Sequence, residues 1–207
     1  MHRSNIAERI ISDDTPYCFL DCETTGLDPF GGDRICELAM LVIEKDKTAE
    51  RFESLIDPQR SISLGAYHVN GITSEMLANK PVFKQVADKV RETLSTSIIV
   101  GHNVGFDLNF LKEEYKRIGV ELKAVPAIDT LRLSRRLFSF KSYSLSAVAK
   151  SLKVGVSNEE DPNFRPHRAF SDVLLLREVF NRIVLEIKNT EGESSLPRIF
   201  ELAGLWG

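Results

Sequence analysis

Asp21, Glu23, Asp107 and Asp172, with His167 close before the last of them, are the residues of this 207-residue chain whose types and settings could hold a metal ion. Asp21 and Glu23 close a short apolar run, YCFLDCET. A strand's two-residue side-chain period turns both carboxylates to one face and Leu20 and Cys22 to the other. Two like charges at the end of an apolar strand repel and are desolvated unless a cation lies between them. A hard divalent ion with oxygen ligands, Mg²⁺ or Mn²⁺, is the simplest resolution. A lone Asp-x-Glu is more often a charged strand end in solvent, so the metal reading needs ligands from elsewhere in the chain.

Two further acids lie next to apolar structure. Asp107 falls in the first turn of a helix after the buried strand SIIVG, and Asp172 in the first turns of the last long helix. Either alone would read as a helix-start acid that favours the macrodipole. His167 lies five residues before Asp172. Five residues of helix turn through about 500°, which leaves the two side chains roughly 140° apart. His167 is therefore expected on the entry loop, just after Pro166, and Asp172 on the helix itself.

The elements that must position these groups follow from periodicity. An opening strand from Tyr17, a loop DPFGGD, an apolar strand over 34–43, a polar connection EKDKTAE and a strand over 51–56 predict an antiparallel meander. A loop SISLGAYHVNGIT leads to a short helix over 74–77. Pro81 opens an amphipathic helix carrying Val82, Phe83, Val86, Val90 and Leu94. SIIVG is then a strand, and the helix after it turns Phe106, Phe110 and Leu111 inward. Strand-loop-helix units of this kind bring ligands to the C-terminal edge of an open sheet. A short strand over 125–128 and helices over 130–137, 145–152 and 167–187 complete the pattern, with a polar loop over 154–166.

Composition bounds the rest. The 43% hydrophobic and 28% charged content is that of a soluble globular protein with one well-filled core. A net charge of −3 does not announce a nucleic-acid binder, although a metal-dependent enzyme commits several acids to its cations. Cys18, Cys22 and Cys36 sit in apolar strands without a Cys-x-x-Cys pair, so they read as reduced core residues. No stretch is apolar enough for a signal core or a membrane span, which makes no membrane partner and a cytoplasmic location the expectation. Residues 1–16 read as an arm or short helix, 17–187 as the working domain and 188–207 as a tail. The apolar end of that tail, with Trp206, is expected to pack on its own domain rather than dock on a partner.

The phrases DCETTG, HNVGFD and HRAFSD, in this order and spacing, resemble the three motifs of the DEDDh group of 3′-to-5′ exonucleases. This is the DnaQ-like branch of the ribonuclease-H-like fold, which includes the proofreading epsilon subunits of bacterial DNA polymerase III. The matching positions are Asp21, Glu23 and Thr24; His102, Asn103, Phe106 and Asp107; and His167 and Asp172. VNGIT, AIDTLRLSRR and SYSLSAVAKSL are also similar to the family, though Asn70 stands where proofreading subunits often carry histidine, with His68 two positions earlier.

The resemblance implies an α/β, ribonuclease-H-like fold: a central mixed five-stranded sheet with the three-strand meander, flanked by helices. It implies 3′-to-5′ hydrolysis of single-stranded or frayed DNA to nucleoside monophosphates, within a DNA polymerase assembly or alone. Two divalent cations, Mg²⁺ or Mn²⁺, would be held by Asp21, Glu23, Asp107 and Asp172, with His167 as general base. Thr24, Thr25, Gly26, Leu27, Asn70, His102, Asn103 and Phe106 would contact the 3′ end, Leu27 and Phe106 packing on its bases. Lys112, Lys116, Arg117, Arg132, Arg135 and Arg136 are candidates for a basic rim, against the simpler reading of a solvated helix face. Two alternatives are an RNA-trimming exoribonuclease of the ribonuclease T or oligoribonuclease kind and a non-catalytic nucleic-acid-binding module.

Overall fold

The computed structural model describes residues 15–157, 159–191 and 196–203. The arm expected over the first residues therefore lies outside the described residues up to position 14, as does Trp206. The meander consists of β1 (Tyr17–Thr24), β2 (Ile35–Glu44) and β3 (Lys47–Leu55), paired antiparallel. Two short strands, β4 (Ile98–Gly101) and β5 (Ala127–Asp129), add in parallel on the other side of β1, giving the order β3-β2-β1-β4-β5. This is the mixed five-stranded sheet of the ribonuclease-H-like fold.

The polar connection expected between the second and third strands shrinks to a two-residue hairpin turn. Lys45 and Asp46 both adopt left-handed backbone, with φ of 49° and 61°, as a type I′ turn requires. Lys-Asp is a poor signature for that turn, and β3 is an edge strand whose first residues face solvent, so neither feature reads as strand in the sequence.

Alternation along the strands sorts the core into two layers. Phe19, Ala39, Leu41, Val100 and Ile128 face one side, where the long helix α7 (Ala169–Glu191) lays Phe170, Val173, Leu176, Val179 and Phe180 over them. Cys18, Leu20, Leu38, Met40 and Ile99 face the other, against α3 (Phe83–Thr96) and α4 (Val104–Arg117) through Val90, Leu94, Phe110, Leu111 and Tyr115. Burying each such large side chain contributes about 1.5–3 kcal/mol, so both layers hold β1 firmly in the middle of the sheet.

The remaining helices frame one edge of the sheet. The stretch 61–73, read as loop, contains α1 (Leu64–Asn70), capped by the Ser63 side chain accepting from the Ala66 N–H and followed by Gly71 in left-handed backbone. Gly65 and the shortness of the helix hide it from a periodicity search. Then come α2 (Ser74–Leu77), α5 (Thr130–Leu137) and α6 (Leu145–Leu152), each where expected. α7 starts at Ala169, two residues into the periodic stretch over 167–187, and His167, left-handed at φ 62°, stands outside the helix on the entry loop, as expected. α7 also runs past 187, and α8 (Leu196–Ala203) sends Ile199, Phe200 and Ala203 into the core beside α5 and β5. The described part of the tail thus packs on its own domain, as expected. Among the described residues no helix is long and apolar enough to cross a membrane.

Candidate active site

β4 pairs with β1 only over Tyr17–Phe19, so beyond Phe19 that flank of β1 has no strand neighbour among the described residues. Asp21 and Glu23 lie on this overhang, at the edge where the parallel strands end. The turn from β4 into α4 closes the gap. A Cβ on Gly101 would come within 2.7 Å of the Val104 side chain, so glycine permits the tight reversal. Asn103 follows in left-handed backbone at φ 68°, and its N–H donates to Asp129 Oδ1 at 3.0 Å. The reversal places Asp107 over the strand end, where its Oδ1 accepts from the Cys22 N–H at 3.0 Å.

The third wall comes from the entry to α7. The His167 N–H donates to Asp172 Oδ2 at 2.9 Å, and Glu23, His167 and Asp172 each offer a ligand atom within 4.8 Å of the others. A cavity of about 680 Å³ is lined by Asp21, Glu23, Asp107, His167 and Asp172 together, a size suited to a nucleotide-scale ligand. His167, expected as a base rather than a ligand, is exposed on the rim and close enough to the carboxylates for either role.

The four carboxylates are poorly compensated by the protein alone. Burial, then the charges of Asp107, Asp172, Glu23 and Glu37, raises the Asp21 pKa well above the ordinary carboxylate value. Burial and the nearby Asp172 and Glu37 push Glu23 up to about 8, against a hydrogen bond from Asn70. Burial pushes Asp107 up to about 7 despite its bonds from Cys22, and burial also raises Asp172. An all-oxygen donor set with this excess of negative charge fits hard divalent cations.

A carboxylate titrates near 4 in an unfolded chain, whereas Glu23 and Asp107 stay protonated in the metal-free fold up to about 8 and about 7. Their protonated forms favour the fold at low pH, and that contribution is lost as pH rises through those values. In EDTA the melting temperature should therefore fall between pH 5 and pH 8, and Mg²⁺ or Mn²⁺ should raise it more at pH 8 than at pH 5. Thermal unfolding followed by fluorescence at the two pH values checks this; a cation effect equal at both would contradict it.

The expected substrate residues divide. Thr24, Gly26, Leu27, Asn70, His102, Asn103 and Phe106 line the cavity. Thr25 does not: it is fully buried, its Oγ1 donates to Asp33 Oδ1 at 3.1 Å, and its carbonyl accepts from the Ser63 N–H. Its contribution is to shape the turn. Gly26 is needed there because a Cβ would strike the Asp33 carboxylate. Asn70 is buried against Thr24, its Nδ2 donating to the Thr24 carbonyl at 3.4 Å, while His68 is exposed and not part of the lining. Both ring nitrogens of His102 are engaged, Nδ1 with Thr130 Oγ1 at 2.9 Å and Nε2 with the Tyr143 carbonyl at 2.7 Å, and burial lowers its pKa. His102 is thus a brace between Thr130 and the Tyr143 backbone.

None of the six basic-rim candidates lines the cavity; Lys116 pairs with Glu113, Arg117 donates to the Pro29 carbonyl and Arg136 to the Glu201 carbonyl. The sequence reading missed the wall that α1 supplies through Gly65, Ala66 and Val69. It also missed Glu37, which is buried directly opposite Glu23. An acid inside the otherwise apolar run ICELAMLVI was the available signal, since a buried charge needs a partner.

The exonuclease family profile (RNase_T) matches residues 18–180, which include all five of the residues that meet in the cavity. The chain belongs to the exonuclease family. It is 39% identical over 166 residues to the DNA polymerase III epsilon subunit of Rickettsia felis, covering 78% of this chain and 70% of that one. It is 34% identical over 190 residues to the 3′-5′ exonuclease DinG of Bacillus subtilis, covering 91% of this chain. This chain spans 19% of DinG and 13% of the PolC-type DNA polymerase III of Thermotoga maritima, to which it is 37% identical. Among solved structures, exonuclease X in complex with 5′-overhanging duplex DNA superposes with a TM-score of 0.68 at 26% identity, covering 91% of this chain and 99% of that one. Exonuclease I, at 19% identity, TM-score 0.69 and 91% and 44% coverage, shares the fold. The chain is a DnaQ-like exonuclease by these relationships.

Proposed function

We propose that this exonuclease removes nucleotides one at a time from the 3′ end of single-stranded or frayed DNA, and that it serves a DNA polymerase as a proofreading activity. The observation that carries the reading is the convergence of Asp21, Glu23, Asp107 and Asp172 on one open cavity with His167 at its rim. The four carboxylates would hold two divalent cations. When bound, these stabilise charge on the phosphoryl oxygens and favour ionisation of the attacking water.

The chain's own residues do the rest. Leu27, which is 83% exposed, and Phe106 give terminal bases an apolar surface that tolerates any sequence. The imidazole of His167 takes a proton from the attacking water as its oxygen bonds to phosphorus. The P–O3′ bond breaks, O3′ takes a proton from solvent while His167 returns its proton to solvent, and a nucleoside 5′-monophosphate leaves a strand with a new 3′ hydroxyl. The polymerase role is supported by the likeness to the Rickettsia epsilon subunit, which covers most of both chains.

A digestion series tests this. With Mg²⁺, 5′-labelled single-stranded DNA should shorten from its 3′ end with release of mononucleotides, and a mispaired duplex end should shorten faster than a paired one. EDTA should stop the reaction, and RNA of the same sequence should be the poorer substrate. Faster trimming of RNA would move the enzyme to the exoribonucleases, and binding without release would make it a non-catalytic module.

A further inference from the structure

We propose that Glu37 and Arg168 form a positioning pair that sets His167 for proton transfer, an inference that rests on the proposed role of His167 as general base. Glu37, at the middle of the sheet, is almost wholly buried. The Arg168 guanidinium forks it, Nη2 donating to Oε1 at 2.6 Å and Nε to Oε2 at 3.0 Å. The Ala169 N–H, at the start of α7, donates to the same Oε2 at 3.1 Å. The residues immediately after His167 are thus fastened to β2, while the His167 N–H itself is fastened to Asp172.

The need for two fastenings lies in the backbone. His167 holds φ at 62°, a left-handed conformation that an L-residue keeps only where its surroundings over-determine it. Its side chain is exposed, so packing does not hold it. The segment before it is polar loop, tied to α7 by the Arg165 N–H on Ser171 Oγ at 3.2 Å and by Ser171 Oγ on Asp161 at 2.6 Å. Those bonds fix the loop but not the peptide that carries His167. The His167 N–H on Asp172 holds the peptide before it, Glu37 holds the residues after it through Arg168 and the Ala169 N–H, and the guanidinium also offsets a buried negative charge that faces Glu23. Neither residue lines the cavity, so the pair acts through His167 and not on substrate.

The test is a kinetic cycle on the full chain with a single-stranded DNA oligonucleotide and saturating Mg²⁺. Arg168→Gln should lower kcat by about 10²-fold with KM little changed, the scale of a small misplacement of a reacting group. Because that variant leaves Glu37 buried and unpaired, its folding is at risk, and the Glu37→Gln/Arg168→Gln double variant removes both charges. The double variant should recover the melting temperature but not kcat. Arg168→Lys, which keeps the charge and loses the fork, should fall between. In a His167→Ala background, measured by single turnover, Arg168→Gln should add less than about threefold, since residues that act through one another are not additive. Recovery of full kcat by the double variant, or an effect on KM in place of kcat, overturns the proposal. A slow His167→Ala protein on which Arg168→Gln still costs its full factor sinks this inference alone. A His167→Ala protein of normal speed sinks the general-base reading and this inference with it.

Discussion

Replacing Asp21 with alanine should lower the rate of 3′-end hydrolysis by about 10³-fold to 10⁴-fold, on the basis that a metal site supplies several kcal/mol of transition-state stabilisation, roughly 5 here. Asp21 is the carboxylate on which burial and the charges of Asp107, Asp172, Glu23 and Glu37 all bear. Its removal takes away one of the four carboxylates that line the cavity, and the other three line it from their own positions on β1, α4 and α7. The same change should leave the melting temperature of the metal-free protein unchanged or raise it, since it relieves a charge the fold disfavours. Steady-state rates in Mg²⁺ and a thermal melt in EDTA check the two halves. Near-normal turnover would refute the assignment, and a lowered melt in EDTA would show that Asp21 is structural.

The second large effect is expected at His167. Alanine there should cost about 10²-fold to 10⁴-fold in kcat, the usual contribution of one general base. His167 is exposed, stands within 4.8 Å of ligand atoms of Glu23 and Asp172, and is held by its backbone and not by packing. The substitution should therefore leave the fold intact and leave cation binding largely in place, which titration calorimetry with Mn²⁺ in the presence of nucleoside monophosphate would show. A protein that binds cation and DNA normally and cleaves at full speed would show the proton going elsewhere. A protein that has lost cation affinity would show His167 to be a ligand, the other role its position permits.

Asp21 and Glu23 were legible as a pair because a strand's period puts alternate residues on one face, and α4 and the long helix were legible because apolar residues repeat at helical spacing. These are local consequences of backbone geometry, and they survive without knowledge of the rest of the chain. The hairpin turn at Lys45 and Asp46 and the helix α1 were not legible. Left-handed backbone on residues other than glycine, and a seven-residue helix containing glycine, are imposed by tertiary packing against weak local preference.

The sequence by itself determined which acids sit beside apolar strands and helices, that His167 precedes α7, and that the order of motifs is that of an exonuclease. Tertiary structure alone decided that Thr25 points into a turn, that His102 is spent on bracing, and that α1 forms a wall of the cleft. It also decided that Glu37, 131 residues from Arg168, closes on it to fasten the peptide beside His167. The reason is range: side-chain periodicity reports a residue's immediate neighbours, whereas a buried charge finds its counter-charge only once the sheet and the last helix have been packed together.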